Sequence, residues 1–213
     1  MNPFLYSKTL LFEYREQRAV ARRFYSNQRY RELDQSLRKA YAWKNPYRIC
    51  KEYLREAKAE EIHAYGETPI TTMARIAKEC AIGVRDLVVE LGAGRGRAAL
   101  FLAEYVGCAV KAYEQVPEFA HRLRNLKIER VEVVQGDFFQ EKSFEADVIY
   151  LYGTMLSDRE ISHLAQHLPR SAKIITVSYS LEDYSGDYRV IKSFPGRFPW
   201  GETQVYLNER FVK

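Results

Sequence analysis

A glycine-rich stretch between Val88 and Leu100 constrains the fold of this chain more than any other feature. An apolar run leads through Gly92, Gly94 and Gly96 into helix-forming residues. Glycines allow a sharp turn and let a ligand lie against bare backbone. In open α/β folds such a turn lies at the carboxyl end of the sheet, where ligands bind. The stretch therefore predicts a strand–turn–helix unit that carries a ligand site.

Short β-rich runs separated by helical stretches follow this unit along the chain. They predict strands at residues 87–91, 109–113, 131–134, 148–151 and 174–177. The alternation of strand and helix predicts a parallel sheet with helices on both faces. Two further strands, Tyr188–Phe194 and Thr203–Phe211, are joined by residues 195–201, which leave no room for a helix. This last pair must therefore be antiparallel.

The first 64 residues differ from the rest in pattern and in charge. Helical spacing predicts a helix over residues 7–41, broken once near Ser26 and Asn27, a second helix over 47–64 and a third over 71–81. Residues 1–60 hold 14 Lys and Arg against 7 Asp and Glu, whereas the remainder holds 19 against 21. We therefore predict two parts, a basic helical N-terminal extension at 1–64 and a ligand-binding domain at 65–213.

Two interpretations of the basic extension stay open at this point. Its positive charge and interleaved aromatic residues favour contact with a polyanion, such as RNA, or with an acidic partner surface. The alternative is that its apolar side chains pack on the core, as solvated amphipathic helices do. The side chains concerned are Leu11, Val20, Phe24, Leu33 and Leu37.

The cysteines and apolar runs bear on the compartment. Cys50, Cys80 and Cys108 are far apart and form no CxxC pair, so they indicate neither a metal site nor a disulfide framework. Charges interrupt every apolar run well before the roughly 18 to 20 residues of a membrane span. The N-terminus also lacks a secretory pattern. We expect a soluble cytoplasmic protein.

The pattern Glu-x-Gly-x-Gly-x-Gly at Glu90 to Gly96 resembles motif I of class I S-adenosylmethionine-dependent methyltransferases. A dinucleotide-binding fingerprint would instead have Gly or Ala at position 97, where Arg97 stands. The resemblance covers residues 65–211 and implies a seven-stranded Rossmann-like sheet. It also implies S-adenosyl-L-methionine as cofactor, with Glu90 and the three glycines at its binding turn.

Acidic residues at the next two strand ends support this resemblance. Glu114 closes the second predicted strand, where a carboxylate can accept hydrogen bonds from both ribose hydroxyls. Asp137 and Phe138 close the third strand, where a carboxylate can bind the adenine amino group and an aromatic ring can cover the base. We expect all three residues to bind the cofactor.

A finer resemblance rests on the stretches that flank the motif. Residues 65–68 read Tyr-Gly-Glu-Thr, Gly136 precedes Asp137, and Trp200 is followed by Val-Tyr-Leu at 205–207. These stretches resemble the non-SET histone lysine methyltransferases of the telomeric-silencing type and the ATP synthase c-subunit lysine methyltransferase group. The resemblance implies that Tyr65, Glu67 and Thr68 lie over the methionine end of the cofactor. It also implies a protein lysine as acceptor.

The residues after the fourth strand depart from the histone enzymes, which carry asparagines near the acceptor pocket. This chain has Tyr152 and Gly153 there, and it also lacks the Asn/Asp-Pro-Pro-aromatic sequence of enzymes that methylate the exocyclic amines of bases. A lysine acceptor must be neutral, so an apolar aromatic channel is the expected device. The candidates for it are Tyr152, Trp200 and Tyr206.

Three functions therefore stay open on the sequence. We favour a protein-lysine methyltransferase with a protein substrate as partner. An RNA methyltransferase that docks its substrate on the basic helices is the first alternative. A non-catalytic nucleotide-binding module is the second. The acceptor molecule, the number of methyl groups transferred and the oligomeric state do not follow from the sequence.

Overall fold

A computed structural model describes residues 3–59, 61–62, 65–153 and 155–211, with side chains from residue 8 onward. The α-helices in these residues are α1 (Pro3–Phe24), α2 (Gln28–Ala40), α3 (Pro46–Glu56), α4 (Ile70–Glu79), α5 (Arg97–Phe101), α6 (Pro117–Asn125) and α7 (Asp158–His167). The strands are β1 (Leu87–Leu91), β2 (Ala109–Glu114), β3 (Val131–Gln135), β4 (Val148–Leu151), β5 (Lys173–Val177), β6 (Tyr188–Phe198) and β7 (Gly201–Arg210). A π-helical turn, Leu102–Val106, continues α5, and a 3₁₀ turn, Phe138–Gln140, follows β3.

The seven strands form one sheet in the order β3-β2-β1-β4-β5-β7-β6. Strands β1 to β5 are parallel, and β7 is antiparallel to both of its neighbours, β5 and β6. The predicted seven-stranded methyltransferase sheet with an antiparallel last pair is thereby confirmed. The strand order reverses between β1 and β4, which places a crevice at their carboxyl ends.

Polar caps explain where the N-terminal helices begin. The Asn27 side chain accepts a hydrogen bond from the Tyr30 N–H at 3.0 Å, so the predicted break separates α1 from α2. Helix α3 ends at Glu56, well before the predicted Ala64, because the chain turns at Lys58, whose φ is +56°. Residues 60, 63 and 64 of that predicted helix lie outside the described residues.

The β6–β7 hairpin is tighter than predicted. Residues 195–198 were expected in a loop, but they continue β6, and Pro195 pairs with Gln204 across the hairpin. A proline is accommodated here because β6 is the outer strand of the sheet. On its outer side β6 has no neighbouring strand in the sheet that would need a hydrogen bond from the missing N–H. Only Pro199 and Trp200 separate the two strands.

Helices α1 and α2 pack into the same hydrophobic cluster as the sheet. The side chains of Val20, Phe24, Leu33 and Leu37 are buried in it, whereas Leu11 is 47% exposed. The Phe24 ring meets the Phe101 ring of α5 edge to face, with 5.1 Å between centroids. Packing on the core therefore describes four of the five apolar side chains singled out above. The domain division at residue 64 stays a prediction.

The cysteines and helices also bear on the compartment. Cys50, Cys80 and Cys108 are all buried and unpaired. None of the helices in the described residues has the length and hydrophobicity that a membrane span requires.

Candidate functional site

A cavity of about 150 Å³ opens at the carboxyl ends of β1, β2 and β4. It lies where the strand order reverses, the position at which open α/β sheets bind ligands. The expected cofactor residues in its lining are Tyr65, Gly92, Gly94, Glu114 and Phe138. Tyr152, expected to act on the acceptor, also lines it. One cavity therefore brings together residues from five separate stretches of the sequence.

The glycines of the turn after β1 have different tasks. Gly92 has a φ of +81°, and a Cβ built there would meet nothing within 4 Å, so space for a ligand lies against its backbone. A Cβ at Gly94 would lie 3.3 Å from the Tyr65 ring. Gly96 does not line the cavity, and a Cβ there would collide with Leu123 of α6. Gly96 therefore serves the packing of the turn.

Glu114 lies at the end of β2 with its carboxylate buried in the cavity wall. Its Oε2 accepts a hydrogen bond from the Gly94 N–H at 2.6 Å, and its Oε1 accepts one from the Val116 N–H at 2.7 Å. Burial raises its pKa to about 7, although these backbone hydrogen bonds act in the opposite direction. Each carboxylate oxygen retains a second lone pair with which it can accept a hydrogen bond from a ribose hydroxyl.

Glu90 lies at the end of β1 and is also buried. Burial, followed by the nearby charge of Glu114, raises its pKa to about 8. Its Oε2 has no hydrogen-bond partner among the described residues. Glu90 lines a small space of about 20 Å³ behind the glycine turn, together with Gly66 and Tyr152. An unpartnered buried carboxylate oxygen fits a cofactor that carries an ammonium and a sulfonium group, because both are cationic.

The loop at residues 65–68 is fastened to the glycine turn. Glu67 accepts hydrogen bonds from the Tyr65 hydroxyl, from Nε of Arg95, and from Nη2 of Arg95 at 2.7 Å. Burial alone would raise the pKa of Glu67, but the charge and hydrogen bonds of Arg95 hold it below its ordinary value. The Thr68 hydroxyl shares a hydrogen bond with the Tyr150 hydroxyl. The loop therefore lies beside the glycine turn, through the contact of Glu67 with Arg95.

Asp137 and Phe138 are in different situations. The Oδ1 of Asp137 accepts a hydrogen bond from the Phe139 N–H at 2.9 Å and caps the 3₁₀ turn. Asp137 is exposed and is not in the cavity lining, whereas the Phe138 ring is. The structure thus brings Phe138, but not the Asp137 carboxylate, to the cavity.

Three aromatic rings form a compact stack beside the cavity, in which Tyr152 and Trp200 have centroids 6.0 Å apart at 14°. Tyr152 and Phe198 have centroids 5.5 Å apart at an interplanar angle of 9°, and Phe198 and Trp200 are 4.8 Å apart at 23°. Tyr152 lines the cavity, while Trp200 is 58% exposed. Phe198 was missed from the sequence because residues 195–201 were predicted to be a loop.

Tyr206, the third expected acceptor residue, is not part of this stack. Its neighbours Val205 and Leu207 belong to the hydrophobic cluster that also holds Phe198. Because side chains alternate along a strand, Tyr206 points to the opposite face of the sheet. The sequence-based grouping of Tyr206 with Tyr152 and Trp200 therefore has no counterpart in the structure.

A polar cluster missed from the sequence joins α2 to the start of α5. Oδ2 of Asp34 accepts a hydrogen bond from the Tyr25 hydroxyl at 2.7 Å, and Oδ1 lies 3.5 Å from Nη2 of Arg97. The Asp34 side chain is 1% exposed and that of Arg97 12%. Arg97 directly follows the glycine turn, so the N-terminal helices contact the cofactor region through it. Nothing in the sequence pairs two residues this far apart.

Comparisons with known proteins agree with this geometry. A family model described as "Histone methylation protein DOT1" matches residues 48–185. Among solved structures, MtNAS in complex with MTA and tNA has a TM-score of 0.59 and 16% identity, covering 91% of this chain and 75% of that one. An RNA methyltransferase from Salinibacter ruber, in complex with S-adenosyl-L-homocysteine, has a TM-score of 0.56 and 21% identity, covering 69% of this chain and 94% of that one.

A third similar structure is the tRNA methyltransferase TrmK of B. subtilis. Its TM-score is 0.54 at 15% identity, with 66% of this chain and 65% of that chain covered. At these identities the likeness shows the fold, whereas the family match covers most of the chain. No curated protein sequence matches this chain.

Proposed function

The chain belongs to the DOT1 family of histone methylation proteins and is an S-adenosylmethionine-dependent methyltransferase, and we propose that its acceptor is the side-chain amine of a protein lysine. When bound, the cofactor supplies a sulfonium methyl group to an acceptor nucleophile. With the cofactor bound, the acceptor nitrogen would form the new bond to the methyl carbon as the bond from sulfur to that carbon breaks. A proton then leaves the methylated ammonium for water.

The aromatic stack is the observation that carries this proposal. It joins Tyr152 in the cavity wall to the buried Phe198 and the exposed Trp200, and the centroid of each ring lies within 6.0 Å of the other two. A long, thin side chain such as lysine can reach a buried methyl group along such a wall. An apolar aromatic surface also disfavours the ammonium form, so it lowers the pKa of the acceptor amine and supplies the neutral nucleophile. The protein thus contributes alignment and desolvation.

We also propose roles for the cavity residues. Glu114 accepts hydrogen bonds from the ribose hydroxyls, Phe138 covers the adenine, and Glu90 faces the cationic methionine end across Gly92. Tyr65, Glu67 and Thr68 close the methionine end from the loop side, with Gly94 and Gly96 shaping the turn. Because Oδ1 of Asp137 accepts from the Phe139 N–H, we propose that its Oδ2 accepts the hydrogen bond of the adenine amino group. Tyr206 supports the sheet face opposite the stack.

The test incubates the protein with methyl-labelled S-adenosylmethionine and a cell extract, which is then separated into protein and RNA. We expect label in protein, and methyllysine after complete hydrolysis. Trp200→Ala should lower transfer by about tenfold or more while the affinity for S-adenosylhomocysteine stays constant, because Trp200 does not line the cofactor cavity. Tyr206→Ala is the matched control and should retain activity. Label confined to RNA would contradict the proposal.

RNA methylation remains the second candidate because of the outer face of α1. That face carries Arg15, Arg18, Arg22 and Arg23 around a surface depression of about 570 Å³. Tyr14, 60% exposed, also lines the depression and offers a ring for base stacking. The family assignment gives no support to a non-catalytic nucleotide-binding module.

We keep the division at residue 64 as a proposal, with the basic extension presenting the substrate to the methyltransferase domain. A cytoplasmic location is likewise proposed. The three buried, unpaired cysteines support a reducing compartment.

A further inference from the structure

A groove of about 970 Å³ separates helix α1 from helix α4 and the β6–β7 turn. We call it the basic groove, after the six basic residues in its lining: Lys8, Arg15, Arg23, Arg75, Lys78 and Arg197. Apolar side chains, among them Leu11, Phe12 and Ala74, line it between these charges. A surface of this kind suits a partner with both apolar and anionic groups.

Three acidic residues line the basic groove beside its six basic ones. They are Glu16, Glu79 and Glu202. Glu16 accepts hydrogen bonds from the Thr71 N–H at 2.9 Å and from the Thr71 hydroxyl at 2.6 Å. Glu79 is paired with Lys192, which lies outside the groove, at 2.5 Å. The described lining therefore holds six basic residues against three acidic ones, and one of these acids, Glu79, is paired with a lysine outside the groove.

The basic groove meets the cavity at the aromatic stack. Phe198 and Trp200 line the groove, and Tyr152, which stacks against both, lines the cavity. Along α1 the lining extends from Lys8 to Arg23, about 22 Å of helix. An extended peptide of about seven residues has this length. A chain lying in the groove could therefore place one side chain on the stack.

We propose that the basic groove binds an acidic segment of the acceptor polypeptide, adjacent to the lysine that is methylated. This inference rests on the proposed function and adds the chemistry that selects the substrate. An acidic peptide satisfies both the basic rim and the apolar lining, whereas a phosphate backbone uses only the charges.

The experiment measures fluorescence anisotropy of three labelled probes with the full-length protein at low salt. The first is a 15-residue peptide of glutamate, leucine and glycine with one central lysine. The second has glutamine in place of every glutamate, and the third is a single-stranded RNA of 15 nucleotides. The variant Arg15→Glu/Lys78→Glu reverses two exposed groove charges. Arg170→Glu reverses an exposed charge outside the groove and is the matched control.

We expect the acidic peptide to bind most tightly, to lose affinity with rising salt, and to bind the double variant about tenfold or more weakly. The Arg170→Glu protein should bind it like the wild type. Equal affinity of the wild type and the double variant would overturn the proposal, and so would tighter binding of the RNA. If the double variant fails to fold, Arg15→Gln and Lys78→Gln singly give the same test with smaller changes.

Binding and methyl transfer are separate readouts in this design. Peptide binding that depends on the groove, without methylation of the central lysine, would contradict lysine as acceptor and leave the groove assignment standing. Equal lysine methylation of the acidic and the glutamine peptide would contradict the proposed binding of acidic segments by the groove and leave the proposed function standing.

Discussion

Replacing Glu114 by alanine tests the cofactor site most directly. In the free protein its two carboxylate oxygens accept hydrogen bonds from the Gly94 and Val116 N–H groups at 2.6 and 2.7 Å. With the cofactor bound, the same oxygens are proposed to accept the ribose hydroxyls. Glu114→Ala leaves those hydroxyls without an acceptor, which should cost about 1.5 to 3 kcal/mol of binding free energy. The dissociation constant should rise about 10- to 150-fold.

Isothermal titration calorimetry with S-adenosylhomocysteine measures this change without any acceptor. Because two buried N–H groups also lose their acceptor, the variant should unfold about 1 to 3 kcal/mol more easily. A thermal melt must therefore show that the variant is folded at the titration temperature. Glu129→Ala, at an exposed position before β3, is the matched control and should bind like the wild type.

An unchanged dissociation constant in folded Glu114→Ala would remove Glu114 from the ribose site. It would then leave only a structural task for this carboxylate, the fastening of the glycine turn to the end of β2. A loss of affinity shared by Glu129→Ala would refute the reasoning as well, because that residue contacts none of the cavity.

Three further predictions concern the buried acids, the turn and the N-terminal helices. The pKa of Glu90 is raised to about 8 in the folded protein, which therefore binds this proton more tightly than the unfolded chain does, so the free energy of unfolding should fall as the pH rises from about 5 to 8. In urea unfolding, Glu90→Gln should reduce this loss of stability by about 1 to 3 kcal/mol. The same pH dependence in the variant and the wild type would contradict the assignment of this effect to Glu90. Gly94→Val places a branched side chain at a φ of +58° and against the Tyr65 ring, so cofactor binding should be lost. Gly136→Ala, which has open space around its Cβ, is the control and should bind the cofactor normally. A Gly94→Val protein with wild-type affinity would contradict the placement of the cofactor at the glycine turn. Removal of residues 1–56 exposes the apolar surface that α1 and α2 cover. Circular dichroism should therefore show a truncated protein that is unfolded or has a melting temperature far below that of the full chain. A stable truncated protein with normal cofactor affinity would instead support a separate docking arm.

Five of the residues expected to bind the cofactor line one cavity, because local spacing along the chain determines where they lie. The closely spaced glycines mark the turn at the end of β1. The two acids Glu114 and Asp137 lie at the ends of the next two strands, β2 and β3. Parallel strands bring their carboxyl ends to one edge, so Gly92 and Glu114 meet in the structure as expected. Asp137 shows the limit of this reasoning, because the rule gives the strand end and not the direction of a side chain, which here caps the turn after it.

What the sequence by itself determined is the order of strands and helices, the antiparallel last pair and the glycine turn, since each depends on residues near one another in the chain. The tertiary structure alone decided which distant residues share a surface. It extended β6 to include Phe198, separated Tyr206 from the stack by the alternation of β7, and paired Asp34 with Arg97. It also decided that α1 and α2 cover the core, because the burial of an amphipathic face depends on a partner surface that the helix does not itself contain.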